Sequence, residues 1–501
     1  MLDPMPVSLL KQCPDQLVTP VTQLINSSLN NGSVPLGYKS AVVTPILKKS
    51  NLDPESLSNF RPVSNLPFWS KVLERVVAQQ LHQYLQDNSL YESMQSAYRS
   101  HYSTETALLR VSNDILITLD EGREVLLLLL DLSAAFDTID HQILVTRLSE
   151  RYGITATALQ WVTSYLTDRT QKVSINGHTS NETKLLCGVP QGSVLGPLLF
   201  TLYTAPIGEL IRRHGLPFML YADDTQLYVK VEAGNELATI HRLERCLSDI
   251  RSWMSENKLC LNDGKTELLR FSSKFRISTP QHSVAIGSNV IVPSSVSVRN
   301  LGAMFDDTLT MEDQVKSVCR SATFSLYSIG KIRRYLNYAS IERLICSFVT
   351  SRLDNYNSLL HGIPGTLMGR LQRVQNSAAR LLTGTGKYEH ITPVLHRLHW
   401  LPIKARIHYK ILLTVYKALH GLAPEYIRDL LHIRSSLRTS RSSSSAQLTV
   451  PRVNTAYYGD RAFSVSGPKL WNSLPPQLQN TATITKFKKD LKTHLFRLTY
   501  D

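Results

Sequence analysis

The chain has 501 residues, 43% hydrophobic and 19% charged. That composition excludes a disordered or low-complexity chain and, at this length, predicts roughly three domains rather than a single core. No apolar run is long enough to span a membrane, the first residues lack a basic-then-apolar leader, and the six cysteines show neither a C-x-x-C pair nor zinc spacing, so the expectation is a reduced, intracellular, non-membrane protein.

Net charge is +15, and its placement says more than its size. Residues 1–305 hold 27 Lys/Arg against 28 Asp/Glu, whereas residues 306–501 hold 28 against 12. Such a lopsided field suits a polyanionic partner, although a solvated basic surface produces the same count.

In chain order, residues 1–30 read as a helical lead-in with apolar positions Leu9, Leu10, Leu17, Val21, Leu24 and Ile25. Val42 to Leu47 reads as a strand running into Lys48 and Lys49, and Ser64 to Tyr84 has helical spacing through Val72, Leu73, Val76, Val77 and Leu81. Val125 to Leu130 is an unbroken apolar run ending at Asp131, the pattern of a strand buried on both faces with a carboxylate at its exit. Asp137 and Asp140 follow closely and are read as starting a helix. Gly188 to Phe200 is a loop-to-helix junction in which Gly188 and Gly192 permit close backbone approach to a ligand, Gln191 offers a donor and an acceptor, and Ser193 caps the helix with Pro197 in its first turn. Leu216 to Leu220 and Thr225 to Val229 form a hairpin whose turn holds Asp223 and Asp224. Leu243, Cys246, Leu247, Ile250 and Trp253 make one helical stripe, and 311–432 is almost purely helical. Arg434 to Ala446 is Ser/Arg-rich and reads as a linker before a last helix marked by Ile484, Phe487, Leu491, Leu495 and Leu498. The expected division is therefore 1–30, 31–305, 306–433, 434–446 and 447–501.

If the 125–130 strand and the 216–229 hairpin are neighbours, Asp131, Asp223 and Asp224 meet at one sheet edge. Like charges that close raise one another's pKa, and a chain that gathers them neutralises them with a cation; hard oxygen ligands suit Mg²⁺. An Asp-Asp turn alone is also simply good hairpin chemistry.

Taken in order, Asp131-Leu-Ser-Ala-Ala-Phe136-Asp, Gly188-Val-Pro-Gln-Gly-Ser193 and Tyr221-Ala-Asp-Asp224 resemble motifs A, B and C of reverse transcriptases. Leu259 to Glu267, including Lys265, is similar to motif D, and Asn300-Leu301-Gly302 to the primer-grip turn. Pro45 to Lys49, Asn59 to Asn65 and Gln95 to Thr106 resemble the fingers of LINE-type, non-LTR retrotransposon enzymes, and Leu371 to Leu382 resembles the C-terminal region of jockey-like elements. The family's usual Phe before Ala-Asp-Asp is Tyr221 here, and its leading endonuclease and trailing Cys/His knuckle have no counterpart, as in a partial copy carrying polymerase and tail.

The resemblance implies an α+β right-hand polymerase of fingers, palm with antiparallel sheet and helical thumb, followed by a mostly helical basic C-terminal segment. It implies an RNA-directed DNA polymerase that extends a DNA primer or target on an RNA template from dNTPs, in target-primed fashion, acting in the nucleus after a cytoplasmic ribonucleoprotein stage. Asp131 and Asp223 would bridge two Mg²⁺ ions (Mn²⁺ as a substitute) about 3.5–4 Å apart, with Asp224 beside them. Phe136 would clash with a ribose 2′-hydroxyl, or else is a core aromatic at a turn. Lys48 and Arg61 would grip triphosphate oxygens, with Lys49 competing for the first role. Gln191 would pack on the incoming base, and Lys265 would protonate pyrophosphate. Gly188, Gly192, Leu301 and Gly302 would line the template–primer path, as would Arg370, Arg373 and Arg380 on one flank of a thumb helix whose other flank is Leu371, Val374, Ala378 and Leu381. A small or polar residue would be needed at 136 for RNA synthesis, so an RNA-dependent RNA polymerase fits less well. The lack of a C-terminal zinc pattern argues against a maturase. The alternative from another class is a silent nucleic-acid-binding relic.

Overall fold

The computed structural model describes all residues except 1, 2, 4, 134, 135, 233, 275–282, 288, 295, 296 and 435–446. Its longer elements begin with helix α1 (Pro14–Asn30), strands β1 (Ser40–Leu47) and β2 (Phe60–Asn65), and helices α2 (Phe68–Asp87) and α3 (Thr104–Asp120). The middle contains β3 (Glu124–Leu130), α4 (His141–Glu150), β4 (Thr170–Ile175), α5 (Gly196–Thr204), β5 (Phe218–Tyr221), β6 (Asp224–Val231), α6 (Glu236–Glu256) and β7 (Glu267–Phe271). A hairpin of β8 (Val298–Asn300) and β9 (Ala303–Phe305) leads into helices α7 (Glu312–Ile332), α8 (Gly365–Thr383), α9 (Ile403–Leu419), α10 (Phe463–Asn472) and α11 (Ile484–Tyr500).

The sheet that carries the carboxylates has the order β7–β3–β6–β5 and is antiparallel throughout. Its apolar run is unbroken because alternate residues of β3 enter two different cores. Val125 and Leu127 join one with α3, the thumb and the C-terminal helices, while Leu126, Leu128 and Leu130 join the other with α5 and α6. Leu127 is fully buried, so truncating it to Ala would cost about 2–5 kcal/mol.

The smaller fingers sheet pairs β1 antiparallel with β2 and parallel with β4. That pairing corrects the expected start of α2. Ser64 and Asn65 lie opposite Val43 and Val42 in the ladder, and the helix begins only after Pro67, at Phe68. Proline there lacks the N–H a strand needs and pre-sets the helical entry.

Residues 447–501 do not form a core of their own. Tyr416 of α9 stacks on Phe487 of α11 with ring centroids 4.1 Å apart. The buried carboxylate of Asp120, at the end of α3, accepts hydrogen bonds from the backbone N–H groups of Asn454 and Thr455, each at 2.7 Å. Buried Arg461 donates to the carbonyls of Leu309 and His361 at 2.7 and 3.3 Å. Thumb, palm helix and tail thus share one core. Leu498, counted in the last helical stripe, is 71% exposed. The Ser/Arg-rich stretch lies, apart from Arg434, outside the described residues; on either side of it Ile433 and Leu448 pair antiparallel.

Candidate active site

Strands β5 and β6 are joined by a two-residue turn, with Tyr221 paired to Asp224 and Ala222-Asp223 at the tip. Ala222 adopts φ +54, a left-handed conformation that costs a non-glycine residue about 1–2 kcal/mol. Gln95, only 3% exposed, holds it there. The Gln95 Oε1 accepts from the Ala222 N–H at 3.0 Å, and its Nε2 donates to the Ala222 carbonyl at 3.4 Å. The segment around Gln95 is itself fastened along β5: Leu220 N–H donates to Met94 O at 3.1 Å and Ser96 N–H to Leu220 O at 2.9 Å.

The register Leu130 to Thr225 brings Asp131 across from Asp224. Burial and the charge of Asp131 push the Asp223 carboxyl up, partly offset by a backbone hydrogen bond and by the charges of Arg61 and Lys265. Burial, then Asp223, then Asp131 push Asp224 up to about 7, even though its side chain stays open to solvent on one side. The repulsion expected from the sequence is therefore present. Lys265 Nζ lies 3.0 Å from Asp131 Oδ2, carried there by the short pairing of Cys260–Leu261 with Leu132–Ser133 and by Asn262 N–H donating to Asp131 O at 2.9 Å. A cavity of about 510 Å³ opens over this edge, bounded by Lys49, Asp131, Asp224, Lys265, Arg299 and Leu301.

Around this edge the remaining predicted residues fall into three groups. Gly188 (φ +80) and Gly192 (φ +118) sit where a Cβ would lie 2.7 Å from the carbonyls of Asp137 and Ser64 respectively. The close approach seen at both is to this chain's own backbone. Gln191 O accepts from Ser64 N–H at 2.7 Å, and its buried Oε1 has no hydrogen-bond partner among the described residues. Ser193 Oγ accepts from Gly196 N–H at 3.0 Å, and the buried Glu74 carboxylate of α2 accepts from Val194 and Leu195 at 2.6 and 3.1 Å. The Phe136 ring stacks on Phe200 with centroids 4.8 Å apart and is only half-buried. Asp140 caps α4 by accepting from Ile143 N–H at 3.0 Å.

Lys48 Nζ donates to Ser58 O at 2.7 Å within its own hairpin, and it is Lys49 that reaches the cavity. Leu301 (φ +44) and Gly302 (φ +96) make the turn between β8 and β9. Tyr356 Oη donates to Leu301 O at 2.5 Å, and Asn300 Nδ2 donates to Gln226 Oε1 at 2.8 Å, which ties the turn to the strand bearing Asp224. The three arginines lie away from this edge, on α8. Arg370 pairs with Glu312 at 3.5 Å, and Arg380 is engaged by the carbonyls of Gly386 and Glu389.

Among the described residues no three His, Cys, Asp or Glu side chains converge closely enough to enclose a metal ion unaided. That still fits Mg²⁺, which keeps several waters and takes one or two carboxylates plus substrate phosphates. Asp131 and Asp223 supply such oxygens, and their mutual repulsion is what a hard cation would relieve. The positioning groups missed at the sequence level are Gln95 and Glu74. Gln95 stood inside a recognised segment without a role, and Glu74 left no signal beyond being a charge on an apolar helix.

Residues 46–305 match the family model described as reverse transcriptase (RNA-dependent DNA polymerase). A protein named as the probable RNA-directed DNA polymerase from transposon X-element of Drosophila melanogaster is 26% identical over 394 residues, covering 77% of this chain and 42% of that protein. The RNA-directed DNA polymerase from mobile element jockey of the same fly is 26% identical over 315 residues, covering 62% of this chain and 33% of that one. The chain thus spans less than half the length of these relatives.

Proposed function

Because the chain belongs to the reverse transcriptase family and its right-hand fold, we propose that it copies an RNA template into DNA by adding dNTPs to a primer 3′-hydroxyl. The observation that carries this reading is the convergence of Asp131, Asp223 and Asp224 at one sheet edge, under a cavity closed by Lys265 and the Leu301 turn. Asp131 and Asp223 would hold the divalent ions, which when bound lower the pKa of the attacking hydroxyl and screen the triphosphate.

The chain's own groups do the rest. Gln95 and the turn orient Asp223. Arg61 and Lys49 add positive charge where phosphate oxygens would enter. Lys265, whose Nζ stands 3.0 Å from Asp131 Oδ2, would give a proton to the leaving pyrophosphate. Phe136, half-buried against Phe200, would stand where a ribose 2′-hydroxyl meets the ring. The copied strand would be a retrotransposon's, primed at a chromosomal target, which places the reaction in the nucleus. All three carboxylates are present, so nothing in the site favours the silent-relic reading.

The test is extension of a DNA primer annealed to RNA, with Mg²⁺ and then Mn²⁺. Asp131→Asn and Asp223→Asn should abolish extension while template binding persists, since each removes a charge that holds metal rather than a contact to nucleic acid. Either variant extending primer at close to the parental rate overturns the assignment.

A further inference from the structure

Helix α7 buries Val315, Ala322, Leu326 and Ile329 in the thumb core, and its opposite face is unusual. Phe324 is 70% exposed, Tyr327 63%, and Tyr335, in the turn that follows, 73%. Lys316, Arg320, Lys331 and Arg334 are also exposed and interleave with those rings. Lys331 Nζ lies 4.5 Å from the centre of the Tyr327 ring, and the Arg334 guanidinium 4.7 Å from that of Tyr335. From Gln314 to Ile341 the chain carries five Lys/Arg and no Asp or Glu. On the neighbouring helix α8, Arg370 reaches Glu312, at the start of α7, at 3.5 Å.

Rings this exposed contribute little to folding, because most of their surface stays in water. A protein-binding patch would be depleted in Lys, whereas this one alternates Lys and Arg with aromatics. That alternation fits a strand whose phosphates meet the cations while its bases stack on the rings. Duplex bases are covered by their neighbours, so only an unpaired strand presents the faces such platforms need. The helix starts seven residues after the end of β9, whose hairpin bounds the catalytic cavity, and at 1.5 Å per residue it is about 30 Å long.

We propose that the Phe324–Tyr327–Tyr335 face of the thumb is a stacking platform for unpaired RNA, holding template that is not in the primer duplex. The choice of RNA rests on the polymerase reading; the stacking geometry does not. Unpaired template emerging near the hairpin would be kept from refolding and from dissociating between additions.

The experiment measures binding of fluorescent oligouridylate, of a DNA strand of equal length and of a blunt RNA–DNA duplex to the full chain, alongside extension on a short, fully annealed primer–template. Phe324→Ala/Tyr327→Ala should weaken oligouridylate binding at least roughly tenfold, as two lost stacking contacts imply, and DNA-strand binding less. Duplex binding and short-template extension should hold. The slope of log affinity against log salt should stay at the parental value, since removing rings releases no counterion, whereas Arg320→Gln should flatten it by about 0.7 for a single strand.

Unchanged oligouridylate affinity, equal losses for strand and duplex, or a change in self-association without loss of RNA binding would each overturn the platform. Equal losses for RNA and DNA strands would overturn its assignment to template RNA. A parent that binds oligouridylate through these rings yet never extends primer would sink the polymerase reading alone.

Discussion

Replacing Gln95 by Ala should uncouple the catalytic turn from its support. The Gln95 Oε1 is the acceptor for two backbone N–H groups, those of Ala222 and Ala97, both at 3.0 Å. Each donor left without an acceptor costs about 1–3 kcal/mol, and the left-handed Ala222 then loses the side-chain clamp that holds it against its own strain. The neighbouring Asp223 would relax by some fraction of an ångström. A misplacement of about 1 Å in a reacting geometry costs on the order of 10²-fold. Steady-state extension at saturating Mg²⁺ should show kcat falling by roughly that factor with KM for dNTP nearly unchanged. Adding Ala222→Gly separates folding from positioning. Glycine takes φ +54 without strain, so the double variant should recover part of the lost melting temperature but not the lost kcat. A parental kcat in Gln95→Ala would refute the clamp, and so would a kcat restored by Ala222→Gly.

Three further outcomes follow from the same geometry. Phe136→Val should admit ribonucleotides in competition assays at a modest cost to deoxynucleotide use, and undiminished discrimination would make the ring only a partner for Phe200. With its carboxyl at about 7, Asp224 keeps a proton in the folded state that the unfolded chain, titrating near about pH 4, has already lost. In chelator, stability should therefore fall as pH rises from about 4 through 7. Thermal melts should show Asp224→Asn flattening this trend and Mg²⁺ opposing it, and a trend unchanged in the variant would assign the shift elsewhere. Arg370→Gln/Arg373→Gln should weaken template binding for every sequence and flatten the salt slope by up to about two units for a duplex. Arg380→Gln should instead lower the melting temperature with the slope unchanged, because that guanidinium serves the Gly386 and Glu389 carbonyls.

Local patterns were legible where local physics decides them. The apolar run at 125–130 announced a strand covered on both faces, and its alternation between two cores is the reason no polar residue interrupts it. The stripe through Leu243, Cys246, Leu247 and Ile250 is the buried side of α6. Long-range choices left no such mark. Ser64 had helical spacing, but ladder pairing with β1 outweighed it. Nothing in residues 447–501 announced that Thr455 would donate to Asp120 across 335 positions of chain, so a tail that reads as separate is in fact wedged into the palm and thumb.

The site divides along the same line. Its carboxylates could be found because gathering them is chemically costly, and that cost shows as acidic residues, Asp131, Asp223 and Asp224, at the ends of apolar strands. The groups that hold them in place are invisible in sequence because they bind backbone. Gln95 recognises the N–H and carbonyl of Ala222, and Glu74 recognises two N–H groups at the start of α5; neither interaction depends on which side chains its partners carry. Lys48 is held by the Ser58 carbonyl while Lys49 reaches the cavity, a division that a pair of identical adjacent residues cannot reveal. The same logic ties stability to function here. Clamps that oppose carboxylate repulsion keep the edge assembled, so an ion binding there would meet ligands already in place, and the repulsion it relieved would add to its affinity.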